Sequence, residues 1–160
     1  MQRQHAPYRA DVVGSFLRPD AIKQARLKFA SGEIDAAQLH AVEDDAIRHV
    51  VEQQCACGLH VVTDGEFRRA WWHFDFFDGL QGVDALRFAA GYSVQRCTDQ
   101  SPRRAAVTGK LGFGDHPMLD DFRYLKSISG NAQPKMTIPS PSVFISAAAA
   151  KISTRRFTRT

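Results

Sequence analysis

Cysteine is scarce in this chain: Cys55, Cys57 and Cys97 are the only three in 160 residues. An odd trio in a chain without an export signal makes no disulfide framework. Cys55 and Cys57 form a C-x-C pair near a helix end, not the wider C-x-x-C of most structural zinc sites. All three read as ordinary buried or half-buried thiols. No apolar run approaches the roughly 20 residues that a membrane helix needs, so no span is expected. The opening residues, Met1 to Pro7, lack the apolar stretch of a signal peptide, which points to the cytoplasm. The last ten residues contain no acid, yet carry Lys151, Arg155, Arg156 and Arg159. Those four match the formal net charge of +4; without them, 17 of the 21 basic residues face 17 acidic ones. The pI of 9.2 is therefore a property of the tail, not of a basic groove interleaved with aromatics, and a nucleic-acid partner is not expected. Internal repeats are lacking too.

What is present is a globular composition, 44% hydrophobic and 24% charged, long enough for one core. Tyr8 to Val13 predicts a first strand ending at Gly14-Ser15. Pro19 then suits the first position of a helix through Leu27, closed by Ser31-Gly32. Asp35 is placed to cap a longer helix in which Leu39, Val42, Ala46, Ile47, Val50 and Val51 recur at helical spacing, with Gly58 as its stop. Leu59 to Thr63 is the next strand, short and β-branched. Strand, helix, helix, strand is the order of an α/β chain with parallel strands. Phe67, Trp71, Trp72, Phe74, Phe76 and Phe77 read as aromatics of a helix and loop packing into a core. Residues 79–114 predict an excursion of one or two hairpins, with alternation at Tyr92 to Gln95 and Ala105 to Thr108. Asp115-His116-Pro117 opens a helix bearing Met118, Leu119, Phe122, Leu125 and Ile128. Gln133 to Pro139 predicts a third parallel strand, cut by Pro139 and Pro141.

Two of these strands end abruptly in chemically useful groups, Val13-Gly14-Ser15 and Asp64-Gly65-Glu66. Barrel strands deliver site residues to one rim in this way. Taken by itself, Asp64-Gly65-Glu66 is equally well a turn with a capping acid. The motifs Val-Gly-Ser-Phe-Leu-Arg-Pro (13–19), Val-Thr-Asp-Gly-Glu-Phe-Arg-Arg (62–69), Trp-Trp-His (71–73) and Pro-Lys-x-Thr-Ile-Pro-Ser-Pro-Ser (134–142) occur in one order. Together they resemble the cobalamin-independent methionine synthases, above all their short single-barrel relatives, over residues 5 to about 144. The resemblance implies a (βα)8 TIM barrel that moves a methyl group from a methylated folate to the zinc-bound thiolate of homocysteine. Metal binding suits that task, because a free thiol is mostly protonated near neutral pH. The resemblance places the amino-acid carboxylate at Val13, Gly14 and Ser15, and its ammonium at Glu66 beside Asp64. Two departures stand out. Val12 replaces a histidine common in the short relatives. The family's zinc ligands (one His, one Glu, two Cys) fall in the later half of the barrel, and none of this chain's cysteines or histidines sits in a matching motif. His73 reads as a structural or pocket residue.

About 250 residues make a complete barrel of this type, so residues 1–144 correspond to its first three or so βα units with a hairpin excursion. Residues 145–160 follow no amphipathic period. One GC-rich choice of codons with a single base restored reads as the His-Phe-Arg-Gly-Gly continuation typical of the relatives, so a one-base frameshift after Phe144 is expected, with a natural basic tail as the alternative. The chain by itself is then expected to fold poorly and not to catalyse. The alternatives are a zinc-dependent thiol alkyl transferase of the coenzyme M type, or a non-catalytic interaction fragment. The oligomeric state is open.

Overall fold

The computed structural model describes residues 11–87 and 103–147. In order these form α1 (Asp20–Ser31), α2 (Ala36–Ala56), β1 (Val61–Val62), α3 (Phe74–Asp78), β2 (Gln81–Arg87), β3 (Arg103–Gly112), α4 (Pro117–Ile128), β4 (Gln133–Pro134) and α5 (Pro141–Ala147). The class is α/β. The chain divides into two interleaved units: residues 1–69 with 119–137, and residues 70–118 with 138–160.

The first unit is built on α2. Asp35 caps it as the sequence predicts: its side chain accepts from the Gln38 N–H at 2.8 Å, and Gln38 Oε1 accepts from the Asp35 N–H at 3.0 Å. This reciprocal box satisfies two N–H groups the helix cannot pair itself. Pro19 is the residue before α1, one position earlier than expected, and Gly32 ends that helix by donating to Phe29 O at 3.1 Å. The helical period of α2 turns Ile47, Val50 and Val51 inward against Ile22, Val62, Phe67 and Leu125. Each fully buried aliphatic of this kind contributes about 1.5–3 kcal/mol. β1 and β4 pair in parallel, Val61 with Gln133 and Val62 with Pro134.

The predicted first strand is not formed over its described part, 11–13; residues 8–10 lie outside the described residues. A single backbone bond, Phe16 N–H to Gly65 O at 3.1 Å, ties the following segment to the end of β1. One bond makes no ladder, and Val13 is 75% exposed, so the inward alternation of a strand is missing there. A side-chain amide instead satisfies the backbone of Thr63, the residue that follows β1. Gln54, buried on α2, donates to Thr63 O at 2.8 Å and accepts from the Thr63 N–H at 3.0 Å.

The second unit holds the hairpin excursion. β2 and β3 are antiparallel, with their connection and the 92–95 stretch outside the described residues. The register slips between Gln81 and Val83. Gly82 occupies the slip at φ +75°, and a Cβ there would stand 2.5 Å from Lys110 O, so only glycine fits. Phe77, Val83 and Ala105 form this unit's core, joined by Phe74, Phe76, Leu80, Val143 and Phe144. Of the aromatics read as core, Phe74, Phe76 and Phe77 lie in this cluster and Phe67 in the first unit's, whereas Trp71 and Trp72 join neither and Trp72 is exposed. α5 was not foreseen: Pro141 suits its first turn, and Val143 and Phe144 N–H both donate to Ser140 O.

Cys55 and Cys57 correct the expectation of buried thiols, since both are exposed. The core side of α2 is taken by Ile47, Val50, Val51 and Gln54, which leaves position 55 facing out. Cys97 lies outside the described residues.

Candidate functional site

The turn after β1 is the most heavily bonded stretch of the first unit. Asp64 Oδ1 accepts from the Glu66 N–H at 2.9 Å, and Thr63 Oγ1 accepts from the Gly65 N–H at 3.3 Å. Gly65 sits at φ +67° and Glu66 at φ +55°. A left-handed glutamate costs on the order of 1–3 kcal/mol unless its surroundings fix it. Two arginines do so. Arg18 donates to Glu66 O at 3.0 Å, to Phe67 O at 3.3 Å and to Arg69 O. Arg26, from α1, donates to Phe67 O at 2.7 Å and Arg68 O at 2.8 Å.

That backbone aims the Glu66 side chain, 8% exposed, at three partners. Ser15 Oγ donates to Oε2 at 2.9 Å, Thr137 Oγ1 donates to Oε1 at 2.9 Å, and Arg69 Nη1 lies 3.4 Å from Oε1. Arg69 in turn donates to Thr137 O at 2.5 Å. Lys135, just before, pairs with Asp11 at 2.5 Å. Ser15, Glu66 and Thr137 thus converge from three chain segments, the latter two just past the ends of β1 and β4. Glu66 is thus a buried carboxylate whose two oxygens accept from hydroxyls while its charge faces the Arg69 guanidinium.

Of the residues named from sequence, the structure brings Ser15 and Glu66 into contact, with Asp64 shaping the turn through Glu66's backbone. Gly14 adjoins Ser15 at φ +88°. Val13 stands apart, its side chain in solvent. Arg69, Thr137 and Arg18 were missed as site residues although each lies within a quoted motif; Arg26 lies in none.

A second ionic group lies on α2 and α4. Glu43, 4% exposed, accepts from Arg26 at 3.2 Å. Arg68 pairs with Asp44 and, at 3.2 Å, with Asp121, while its guanidinium lies 5.1 Å from the Tyr124 ring centroid. Burial raises the Asp121 carboxyl above its usual range, with Arg68 pulling the other way. In the second unit, His73 precedes α3 with its ring 4.2 Å from Phe74, and burial lowers its pKa. This is a structural setting for the residue. Among the described residues, no three of His, Cys, Asp and Glu gather where they could hold a metal ion. The residues described do not fit zinc. No helix among them is long and apolar enough to cross a membrane.

A family model described as the catalytic domain of the cobalamin-independent synthases matches residues 9–103, more than half of the chain. The chain belongs to this family. Among similar proteins, the uncharacterized protein YxjG of Bacillus subtilis is 50% identical over 143 residues, which are 89% of this chain and 38% of that protein. A methionine synthase of Sulfolobus acidocaldarius is 30% identical over 130 residues, 81% of this chain and 37% of the relative. The crystal structure of a putative vitamin-B12-independent methionine synthase from Listeria monocytogenes matches with a TM-score of 0.72 at 44% identity, over 91% of this chain and 40% of that one. A B12-independent methionine synthase from a Shewanella species, solved with selenomethionine, shares the fold at 23% identity and a TM-score of 0.54, over 72% of this chain and 33% of that one. The chain spans well under half the length of those relatives. Its likeness is to methionine synthases, a family of enzymes, and the match covers the Ser15 and Glu66 motifs.

Proposed function

We propose that residues 1–144 are the opening portion of a (βα)8 barrel of the methionine-synthase kind, and that its share of the reaction is to hold the amino-acid end of homocysteine. The observation that carries this is the convergence of Ser15 and Thr137 on the buried Glu66 carboxylate. Barrel enzymes place their site residues at the C-terminal ends of parallel strands, and Glu66 and Thr137 follow the parallel pair β1 and β4. Glu66 accepts the substrate ammonium, and the Val13-Gly14-Ser15 segment meets its carboxylate. The reaction of the whole enzyme is methyl transfer from a methylated folate to the homocysteine thiolate, giving methionine.

Zinc activates the thiol in that family reaction, and the described residues supply no ligand set for it. In this proposal the 160-residue chain contributes amino-acid binding, and turnover belongs to the whole enzyme. A coenzyme M type of acceptor fits less well, since a sulfonate has no ammonium to offer a buried carboxylate. Residues 145–160 are, in this proposal, a frameshifted tail.

Isothermal titration of the chain with L-homocysteine tests the binding role. Glu66→Gln is expected to weaken binding about tenfold, the scale of one charge-assisted hydrogen bond; unchanged binding overturns the assignment. A methyl-transfer assay with methylated folate and zinc is expected to give no product. Sequencing the gene across the codons for Ser140 to Thr160 and beyond decides the tail. A reopened frame with later His and Cys motifs supports the frameshift, and a degraded downstream frame removes it.

A further inference from the structure

Both oxygens of Glu66 are engaged by hydroxyls. Ser15 donates to Oε2 and Thr137 to Oε1, each at 2.9 Å. The terminal torsion of a glutamate is broad and roughly two-fold, so a carboxylate held at one oxygen still swivels. Donors from two separate chain segments remove that freedom. Arg69 backs the arrangement, 3.4 Å from Oε1 while holding the Thr137 carbonyl at 2.5 Å. The Ser15 hydroxyl proton is thereby committed to Glu66 and not to a substrate carboxylate.

We propose that Thr137, together with Ser15, is a positioning residue that fixes the Glu66 carboxylate, and that this fixing is what lets the site prefer an α-amino acid over the same molecule without its amine. The inference rests on the reading of Glu66 as the ammonium acceptor. Ammonium recognition is directional because a charge-assisted bond needs its acceptor in place beforehand. Thr137 belongs to the Pro-Lys-x-Thr-Ile-Pro motif, to which sequence reasoning assigned no role.

The 160-residue chain is titrated calorimetrically with L-methionine and with 4-(methylsulfanyl)butanoate, its counterpart lacking the amine. The unaltered chain binds L-methionine more tightly. Thr137→Val, which keeps shape and removes the donor, is expected to cut L-methionine affinity about tenfold while leaving the desamino acid within about twofold. Thr137→Ser restores the preference, and Ser15→Ala repeats the loss. Equal weakening of both probes, or of neither, overturns the positioning role. Far-UV circular dichroism establishes that each variant is folded. A crystal structure of Thr137→Val gives an arm independent of ligand: the carboxylate is expected to leave Ser15 or to adopt more than one orientation, and a single unmoved orientation sinks the proposal. Failure of the underlying reading looks different, because Glu66→Gln then leaves the preference for L-methionine intact.

Discussion

Arg26 reaches from α1 to the carbonyl oxygens of Phe67 and Arg68 and to the buried carboxylate of Glu43. Arg26→Met keeps the stem of the side chain but leaves Glu43 without that partner and two carbonyls short of a donor. The expected loss is about 2–3 kcal/mol, below the 3–5 of a wholly buried pair because Arg26 is partly exposed, and urea denaturation measures it. His73 gives a pH signature. Burial lowers its pKa below the usual 6.5, with Asp75 opposing. The unfolded chain therefore takes its proton at a higher pH than the folded one. Stability from this residue is intact above about pH 6.5 and is lost as pH falls below it toward the folded value. His73→Phe keeps a ring beside Phe74 and is expected to flatten the fall of melting temperature between about pH 7 and 5. Legibility at this scale follows from chemistry. Ser15 and Glu66 stood out because a hydroxyl and a carboxylate closed apolar runs. Arg26 looked like any solvated helix position, since nothing in α1's period announces a carbonyl clamp assembled from residues forty positions away. Thr137 was visible within a motif, but a hydroxyl shows no role until its acceptor is in place.

Helix boundaries were readable because they rest on local chemistry. The Asp35–Gln38 box and Gly32 fall where capping rules put them. Asp35→Ala is expected to cost about 1 kcal/mol, read as a lower urea midpoint with unchanged slope. Strands were less readable. A strand is certified by its neighbour, and Asp11 to Val13 has no ladder partner among the described residues. The apolar run that named it persists, but Val13 faces solvent. α5 was obscured for a converse reason: Pro139 and Pro141 were read only as breakers of the strand before them, whereas a proline also opens helices. A hairpin excursion was legible from turn residues and alternation, and Ala105 to Thr108 does fall in β3, but β2 at Gln81–Arg87 was not marked. Nor was the slip at Gly82, because the crowding that demands glycine comes from Lys110 on the other strand.

At the scale of the molecule, the described residues form two hydrophobic clusters, one per unit, and each unit is discontinuous in sequence. Reading along the chain cannot show this, since residues 119–137 return to the first unit only after the hairpin has been made. Ile47→Ala is expected to cost about 2–5 kcal/mol and Phe77→Ala about 3–5. Hydrogen exchange separates them: Ile47→Ala speeds exchange in α2 and β1, and Phe77→Ala in β2 and β3. The buried amide of Gln54 adds a consequence for the order of events in folding. It joins Thr63 across a separation of only 9 residues, so this bond closes a short loop, whereas β4 pairs with β1 only after the whole hairpin has been traversed. Short loops close at small entropic cost and therefore early. The end of β1 thus has its template within the same stretch of chain, ready while a ribosome is still extending the polypeptide toward Gln133. Gln54→Leu is accordingly expected to slow refolding more than it speeds unfolding, an outcome stopped-flow chevrons resolve directly.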